Sequence, residues 1–573
     1  MANNGQTTAT AAESAPQAWH LAFLLVLGWV ARYWHFLDFG WYEDDLTIIP
    51  AAVEMNARQL WEHVFVYITH LYGHGRPLSD SLIYVLSNLG YRLAGIPGIY
   101  LVGYLIFAGN ILLFYFLVRR VGGVTLAFLA SLAYVLFSAD TTQAFHTHSL
   151  GAQPSITLLL IAFHLYLSEH RLAACLVAGL ILFSYESPFL VFLGAPLLAD
   201  RPWRSTWRPM LAHVMILFAM LAGATALRVA IGEERVTEIG FPAVLIVPLT
   251  HMVQGPLVSL GTYAYRPIQA LLGAPLQGFL FGVGTMVAVA LLVRRLPSPA
   301  GVPVRQLLRD PRHIRETVEA SPPLARLLRL LIAGMIMLVM AYPLTFTVRA
   351  YAISGRDTRV HLAAVVGAAV VIGVGLVLLL ALADAFRRRV AAEWLIGLLA
   401  GFLVAYGFVI QQDYRRAWTY QQELWTRVLR LVPDLEEGTT ILVDPQGLKD
   451  VRQIGANTWN LPRILDQILE FPEAWSEPSR VYRLAPGWEG LLAGENGTFV
   501  LDGSTTVAPP SLYKEVSPAS VVLLTAGDNG LQRHAVTLKL ASGQFELKPL
   551  GRPTTNSFSK GFLHRYLILD AEP

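Results

Sequence analysis

Long apolar runs separated by short polar turns dominate the chain, and their lengths set the fold class. Runs near 19–38, 98–118, 122–139, 153–168, 172–184, 187–199, 209–230, 270–293, 327–347, 362–385 and 391–410 are nearly free of charge. A helix rises 1.5 Å per residue, so ~20 apolar residues cross the ~30 Å hydrocarbon layer of a bilayer. The pattern therefore predicts about eleven membrane helices. The runs 172–184 and 187–199 are too short to cross alone; they flank Glu186 and are expected to form a hairpin of short helices under a water-filled cavity. After residue 411 the pattern changes to an amphipathic stretch through Arg430, then short strand-like runs at 440–443, 498–501 and 521–524 punctuated by Gly, Pro and Asp. The expected fold class is an α-helical polytopic membrane protein with a small C-terminal mixed α/β or β domain. Its parts are a disordered tail 1–18, a transmembrane domain 19–410 holding a large loop 39–96, and a soluble domain 411–573.

Composition sharpens this reading. Of 573 residues, 54% are hydrophobic and 14% charged, against about 25% charged in an ordinary soluble domain. The net charge of +3 is small, and the arginines sit in short clusters between apolar runs, so no nucleic-acid footprint is present. The single cysteine, Cys175, lies inside an apolar run and excludes a disulfide framework. The tail before the first run lacks a basic region and a small-residue cleavage site, so that run is expected to be a retained span.

Arginine also predicts orientation, because cytoplasmic loops hold an excess of Lys and Arg. Arg119, Arg120, Arg171, Arg201, Arg204, Arg208, the loop 294–329 and Arg387 to Arg389 fall on one side, which is expected to be cytoplasmic together with the N-terminus. The loop 39–96, the segments 140–152, 231–269 and 348–361, and everything after 411 fall on the other. The expected location is multi-pass in a bacterial inner membrane with the C-terminus outside, in contact with membrane lipids.

The outer side carries the candidate chemistry. Directly after the first run comes Trp41-Tyr42-Glu43-Asp44-Asp45. Three consecutive carboxylates repel one another, which fits either a solvated cap of the next helix or a functional site. Residues 51–60 follow with apolar side chains on one helical face, then His70-Leu71-Tyr72-Gly73-His74-Gly75-Arg76-Pro77-Leu78, then a second amphipathic stretch over 78–93. Two surface-lying helices joined to an acidic motif predict a cleft at the outer membrane face.

In these elements, namely Asp44-Asp45, the small-residue helix 51–60, Arg76-Pro77-Leu78 opening an interfacial helix, and Gly95 before the second span, the sequence resembles the GT-C superfamily of membrane glycosyltransferases. The nearest branches are the protein O-mannosyltransferases and the aminoarabinose transferases. The resemblance covers about residues 20–230 in order and topology. It implies transfer of a sugar from a polyprenyl-phosphate donor to a glycan, lipid or protein acceptor outside the membrane, with inversion. By position it makes Asp44 the general base, with Glu43 and Asp45 shaping its field.

Cations are needed for the departing lipid phosphate, and arginine suits one because its planar fork donates twice. The candidates are Arg76, which stands where the relatives carry a basic residue, and Arg349, Arg356, Arg359 and His361 before the tenth run, which also fit lipid-headgroup anchors. His74 shares the turn of Arg76. Where the relatives show a Lys-Gly-Pro-like turn, this chain has Tyr185-Glu186-Ser187-Pro188, reversing the charge. Glu186 is expected to touch the acceptor sugar or to pair with an arginine. His146 and His148 are expected as polar wall residues, since two histidines are too few for a structural zinc site. No metal site is assigned and no cofactor is required, although a divalent cation beside Glu43 and Asp45 is chemically allowed. Two other readings remain open at this level. A transporter or lipid flippase would show paired repeats, which are not evident; a non-catalytic assembly protein would not need the Asp44 charge.

Overall fold

The computed structural model describes residues 18–70, 75–142, 145–199, 203–233, 241–299, 302–303, 314–346, 349–444, 446, 461–494, 496–527 and 530–569. Eight of the described helices are long and apolar enough to cross a membrane, and the chain is a multi-pass membrane protein. The 59-residue helix Pro77–Val135 holds two of the expected spans. Backbone breaks at Gly95 (φ 64°) and Gly123 (φ 81°) divide it into an interfacial helix and two apolar pieces. Glycine enters that region without a Cβ clash, so at both sites one helical piece ends and the chain turns directly into the next. The short helices Arg171–Ser184 and Phe189–Leu198 stand on either side of Glu186, as the run lengths predict.

Two expected boundaries are corrected. The segment 231–269, expected as an outer loop, contains the 33-residue helix Phe241–Gly273. Pro248, Pro256 and Pro267 and an inward face of buried His251, Ser259, Thr262 and Arg266 mask it as a loop, while Ile246, Leu249, Val253 and Leu257 point outward at helical spacing. The last span and the amphipathic stretch after 411 are one helix, Arg389–Leu431, of 43 residues. At 1.5 Å per residue it is ~65 Å long, about twice the hydrocarbon thickness and so longer than a single crossing needs.

The helical core is one continuous apolar cluster in which Phe114, Phe128, Phe163, Phe192 and Val366 are fully buried. Around it, Leu211, Met215 and Phe218 of Trp203–Ala230 are exposed, an apolar surface that needs lipid as its solvent.

The C-terminal part is built on a five-stranded mixed sheet. Thr440–Val443 lies between Arg480–Leu484 and Val521–Gly527, parallel to both, and Thr506–Val507 and Gly530–Arg533 close the two edges antiparallel. Successive strand residues face opposite sides. Ile441 and Val443 accordingly join the core shared with the long helix, whereas Leu442 packs with Tyr482, Leu523 and Trp488 in a separate small core. Arg533 ties the sheet edge to the helix end through Asp434, at 2.7 Å.

Candidate functional site: an acidic turn under an arginine loop

The acidic turn is fixed from below before any of its carboxylates is placed. The Tyr42 hydroxyl donates to Tyr414 O at 2.9 Å, Gln421 Nε2 donates to Trp41 O at 3.1 Å, and the Tyr100 hydroxyl donates to Gly40 O at 2.7 Å. The turn is thus held to the long last helix and to the second span. Beyond it, Asp45–Glu54 forms a helix whose C-terminal carbonyls, Ala52 O and Met55 O, both accept from Asn88 Nδ2 on the interfacial helix.

Glu43 takes φ 54°, a left-handed conformation that side chains rarely adopt and that costs of order 1–3 kcal/mol. The turn it makes sends the neighbouring carboxylates in different directions. Asp45 is fully buried and accepts the backbone N–H groups of His146 at 2.9 Å and Thr147 at 2.8 Å. It thereby caps the helical turn Thr147–Ala152. Burial pushes its carboxyl up to about 7, against the pull of those two amides. Asp44 keeps about a quarter of its side chain exposed and meets Arg356 Nη2 at 3.4 Å, while Arg356 Nη1 meets Glu43 at 3.5 Å. Of the three acids, Asp44 is the most exposed, and Asp45 is committed to structure.

Arg356 comes from the 3₁₀ turn Arg356–His361. That turn is pinned to the acidic site's other wall by Thr358, whose hydroxyl bonds Thr141 N at 3.0 Å and its Oγ1 at 2.9 Å. In a 3₁₀ helix side chains three apart eclipse, which sets Arg359 on the same face as Arg356. The Arg359 Nε is buried without a hydrogen-bond partner among the described residues. His361 plays a different part. Its Nε2 bonds Ala352 O at 2.8 Å and its Nδ1 lies 2.8 Å from the Tyr342 hydroxyl, and burial lowers it to about 4. It is a neutral strut, which corrects its expected place among the cations.

Arg76 and Glu186 are brought together. The guanidinium engages both carboxylate oxygens, through Nε at 2.8 Å and through Nη2, and lies 4.4 Å over the Tyr185 ring. Arg228 adds a second cation 3.6 Å from Glu186 and reaches Glu233 at 3.5 Å. Burial opposes the charge on Glu186, but Arg76 and Arg228 outweigh it and hold the carboxyl down at about 2. The fork that a phosphate would occupy on Arg76 is filled by Glu186. Arg349 donates to the Tyr351 hydroxyl at 2.8 Å and lies among exposed residues. His74 lies outside the described residues.

The two histidines of the segment 145–152 separate. His148 Nε2 sits 3.0 Å from Asp140, which also accepts from Thr142 N and Oγ1, all buried. His146 is fully buried beside Tyr100, ring centroids 4.2 Å apart, with neither ring nitrogen hydrogen-bonded among the described residues. Among the described residues no group of three or more His, Cys, Asp or Glu side chains converges on a metal position.

Among solved structures the chain is similar to ArnT from Cupriavidus metallidurans bound to undecaprenyl phosphate. The likeness spans 76% of this chain and 84% of that one at 13% identity, with a TM-score of 0.34. No family model and no curated protein matches the sequence. The chemistry therefore rests on the side chains themselves.

Residues that sequence reasoning missed are Asp140, Arg228 and Tyr414. Asp140 carried a usable signal, a lone acid at the end of an apolar run eight residues before His148. Arg228, in the last turn of an apolar helix, carried the same signal in cationic form. Tyr414 carried none, because its role depends on contacts 372 and 273 residues away in sequence.

Proposed function

We propose that the protein is an inverting glycosyltransferase that moves a sugar from a polyprenyl-phosphate donor to a hydroxyl-bearing glycan, lipid or protein acceptor outside the membrane. The observation that carries this reading is the split within the acidic turn: Asp44 is partly exposed beside Arg356 while Asp45 is consumed by two backbone amides. An inverting displacement uses one carboxylate at the acceptor and cations at the leaving phosphate. In the proposed step the Asp44 carboxylate takes the acceptor hydroxyl proton as that oxygen bonds the anomeric carbon. The bond from the same carbon to the phosphate oxygen breaks, and polyprenyl phosphate leaves against Arg359 and Arg356.

The 3₁₀ spacing that sets these two arginines on one face supports their shared use. No cofactor is required in this scheme, because arginine supplies the compensating charge. The site faces the outside of a bacterial inner membrane, with the C-terminal domain on that side, a reading supported by the arginine clusters at the opposite helix ends. The test is to incubate the purified protein with polyprenyl-phosphate sugars and a membrane extract as acceptor source, and to follow release of polyprenyl phosphate by mass spectrometry. Release that disappears in Asp44→Asn supports the reading. No release from any donor by a folded, donor-binding protein overturns it.

A further inference from the structure

A cleft of mixed charge opens where the C-terminal domain meets the helix that follows the acidic turn. That helix, Asp45–Glu54, starts beside Asp44 and runs ~14 Å to its last residue. Glu54 at its end lines an open cleft of about 440 Å³ together with Glu470, Lys560, Phe562, Arg565 and Ile568.

The segment that supplies the last four of these residues is tied in two directions. Ser559–Lys560 pairs antiparallel with Leu469–Glu470, and Gly561 N donates to Ile468 O at 2.9 Å, which anchors the segment in the C-terminal domain. Phe562 stacks on Trp41 with ring centroids 5.6 Å apart, and Tyr566 meets the same indole at 4.9 Å. The Tyr566 hydroxyl also lies 2.6 Å from that of Tyr91 on the interfacial helix. Trp41 is fully buried and stands three residues before Asp44. One segment therefore both lines the cleft and packs against the acidic turn.

The charges of the cleft say what it can hold. Glu54, Glu470, Lys560 and Arg565 are exposed, and among the described residues no ion pair joins any of the four. Arg565 is held by neutral groups instead, donating to the Tyr91 hydroxyl at 2.6 Å and lying 4.7 Å over the Phe562 ring. Two carboxylates and two cations that line one void without pairing present acceptors and donors side by side. An anion would meet the two glutamates, a cation would meet Lys560 and Arg565, and an apolar ligand would strip water from all four. A saccharide fits, because every hydroxyl both donates and accepts, and its C–H face suits Phe562 and Ile568.

We propose that this cleft binds a neutral saccharide, and that on the transfer reading, on which this role rests, the saccharide belongs to the acceptor, which is then a glycan. The length of Asp45–Glu54 separates the cleft from the base, so an acceptor that occupies both is an oligosaccharide or longer.

The full-length protein, in a detergent without a sugar headgroup, would be titrated with fluorescently labelled maltotetraose, cellotetraose, mannotetraose and chitotetraose, with tetralysine and tetraglutamate as competitors. At least one tetrasaccharide should bind, and neither peptide should displace it at equal concentration. E54A/E470A should weaken binding about tenfold or more, the effect of losing a hydrogen bond to a charged group, and E54Q/E470Q should keep an intermediate affinity. Both variants should melt as wild type, since the side chains removed are exposed. Asp44→Asn should bind the saccharide as wild type does. Saccharide binding by a protein that releases no polyprenyl phosphate from any donor would support the cleft and fail the transfer reading alone. No tetrasaccharide bound at ~10 mM, wild-type affinity in E54A/E470A, or displacement by either peptide would overturn the proposal, whether or not polyprenyl phosphate is released.

Discussion

Asparagine at position 44 and asparagine at position 45 should fail in different ways, although the two acids are adjacent and chemically alike. Asp44 is partly exposed and its partner Arg356 is 3.4 Å away with about a quarter of its own surface exposed. Pairs of that kind contribute about 0–1 kcal/mol, so Asp44→Asn should fold with a thermal midpoint close to wild type. Its turnover should fall about 10²–10⁴-fold, the usual loss for a general base, equivalent to ~3–5 kcal/mol of transition-state stabilisation. Asp45 is fully buried and its two oxygens each accept one amide. The asparagine amide nitrogen would face one of those N–H groups as a second donor, leaving at least one buried amide unsatisfied, at ~1–3 kcal/mol. Relief of the burial cost of the carboxylate offsets part of that loss, so the midpoint of Asp45→Asn should fall measurably but not catastrophically. The assay is release of polyprenyl phosphate alongside a melting curve on the same preparation. Wild-type turnover in Asp44→Asn, together with an inactive Asp45→Asn of unchanged midpoint, would refute the division of labour and move the base to Asp45.

Three further outcomes are expected. Arg359→Gln should weaken donor binding by about ten- to a hundredfold with little change in stability, measured by titration with a polyprenyl-phosphate sugar, since a hydrogen bond to a charged group contributes ~1.5–3 kcal/mol. Arg76→Ala should act mainly on stability, because it strips Glu186 of its bidentate partner, and Glu186→Gln in the same chain should restore much of the lost midpoint; unaltered stability in the single variant would count against the pairing. His146→Phe should raise the midpoint at pH 7 by removing two buried unsatisfied nitrogens. The folded histidine is pushed down to about 3, so the unfolded chain binds its proton first as pH falls below about 6.5, and stability is lost between there and about 3. The phenylalanine variant should therefore lose less stability than wild type between pH 7 and 5, by up to ~1.4 kcal/mol per pH unit below 6.5, and parallel melting curves would contradict this.

The membrane helices were legible because length and apolar composition are local properties that a bilayer reads directly. Phe241–Gly273 escaped for the complementary reason, its three prolines and polar inner face being tolerable only because neighbouring helices cover them. The acidic turn was legible as a candidate, but the split within it was not. Which of Asp44 and Asp45 is structural depends on where the amides of His146 and Thr147 fall, about a hundred residues further on. The charge reversal at Glu186 was visible in sequence, yet its pairing with Arg76 spans 110 residues and needed coordinates.

The arginines around the acidic turn and Glu186 can be ranked by what already occupies their forks. Arg76 holds both oxygens of Glu186, so a phosphate arriving there must first displace a carboxylate that two cations stabilise. Arg356 is shared between Glu43 and Asp44 at 3.5 and 3.4 Å, long contacts that can lengthen without exposing a buried charge. Arg359 has a buried Nε with no hydrogen-bond partner among the described residues, a state that is costly in the absence of an anion and relieved by one. A lipid phosphate should therefore settle first at Arg359 and draw Arg356 toward it. That movement would loosen Arg356 from Asp44 and leave the carboxylate less encumbered as the donor arrives, so donor binding and activation of the base would be coupled through one guanidinium. An Arg356→Lys variant separates the two effects: its single ammonium can still neutralise the acids but cannot bridge to phosphate with a planar fork. Donor affinity in that variant should fall less than turnover, and an equal fall in both would show that Arg356 serves binding alone.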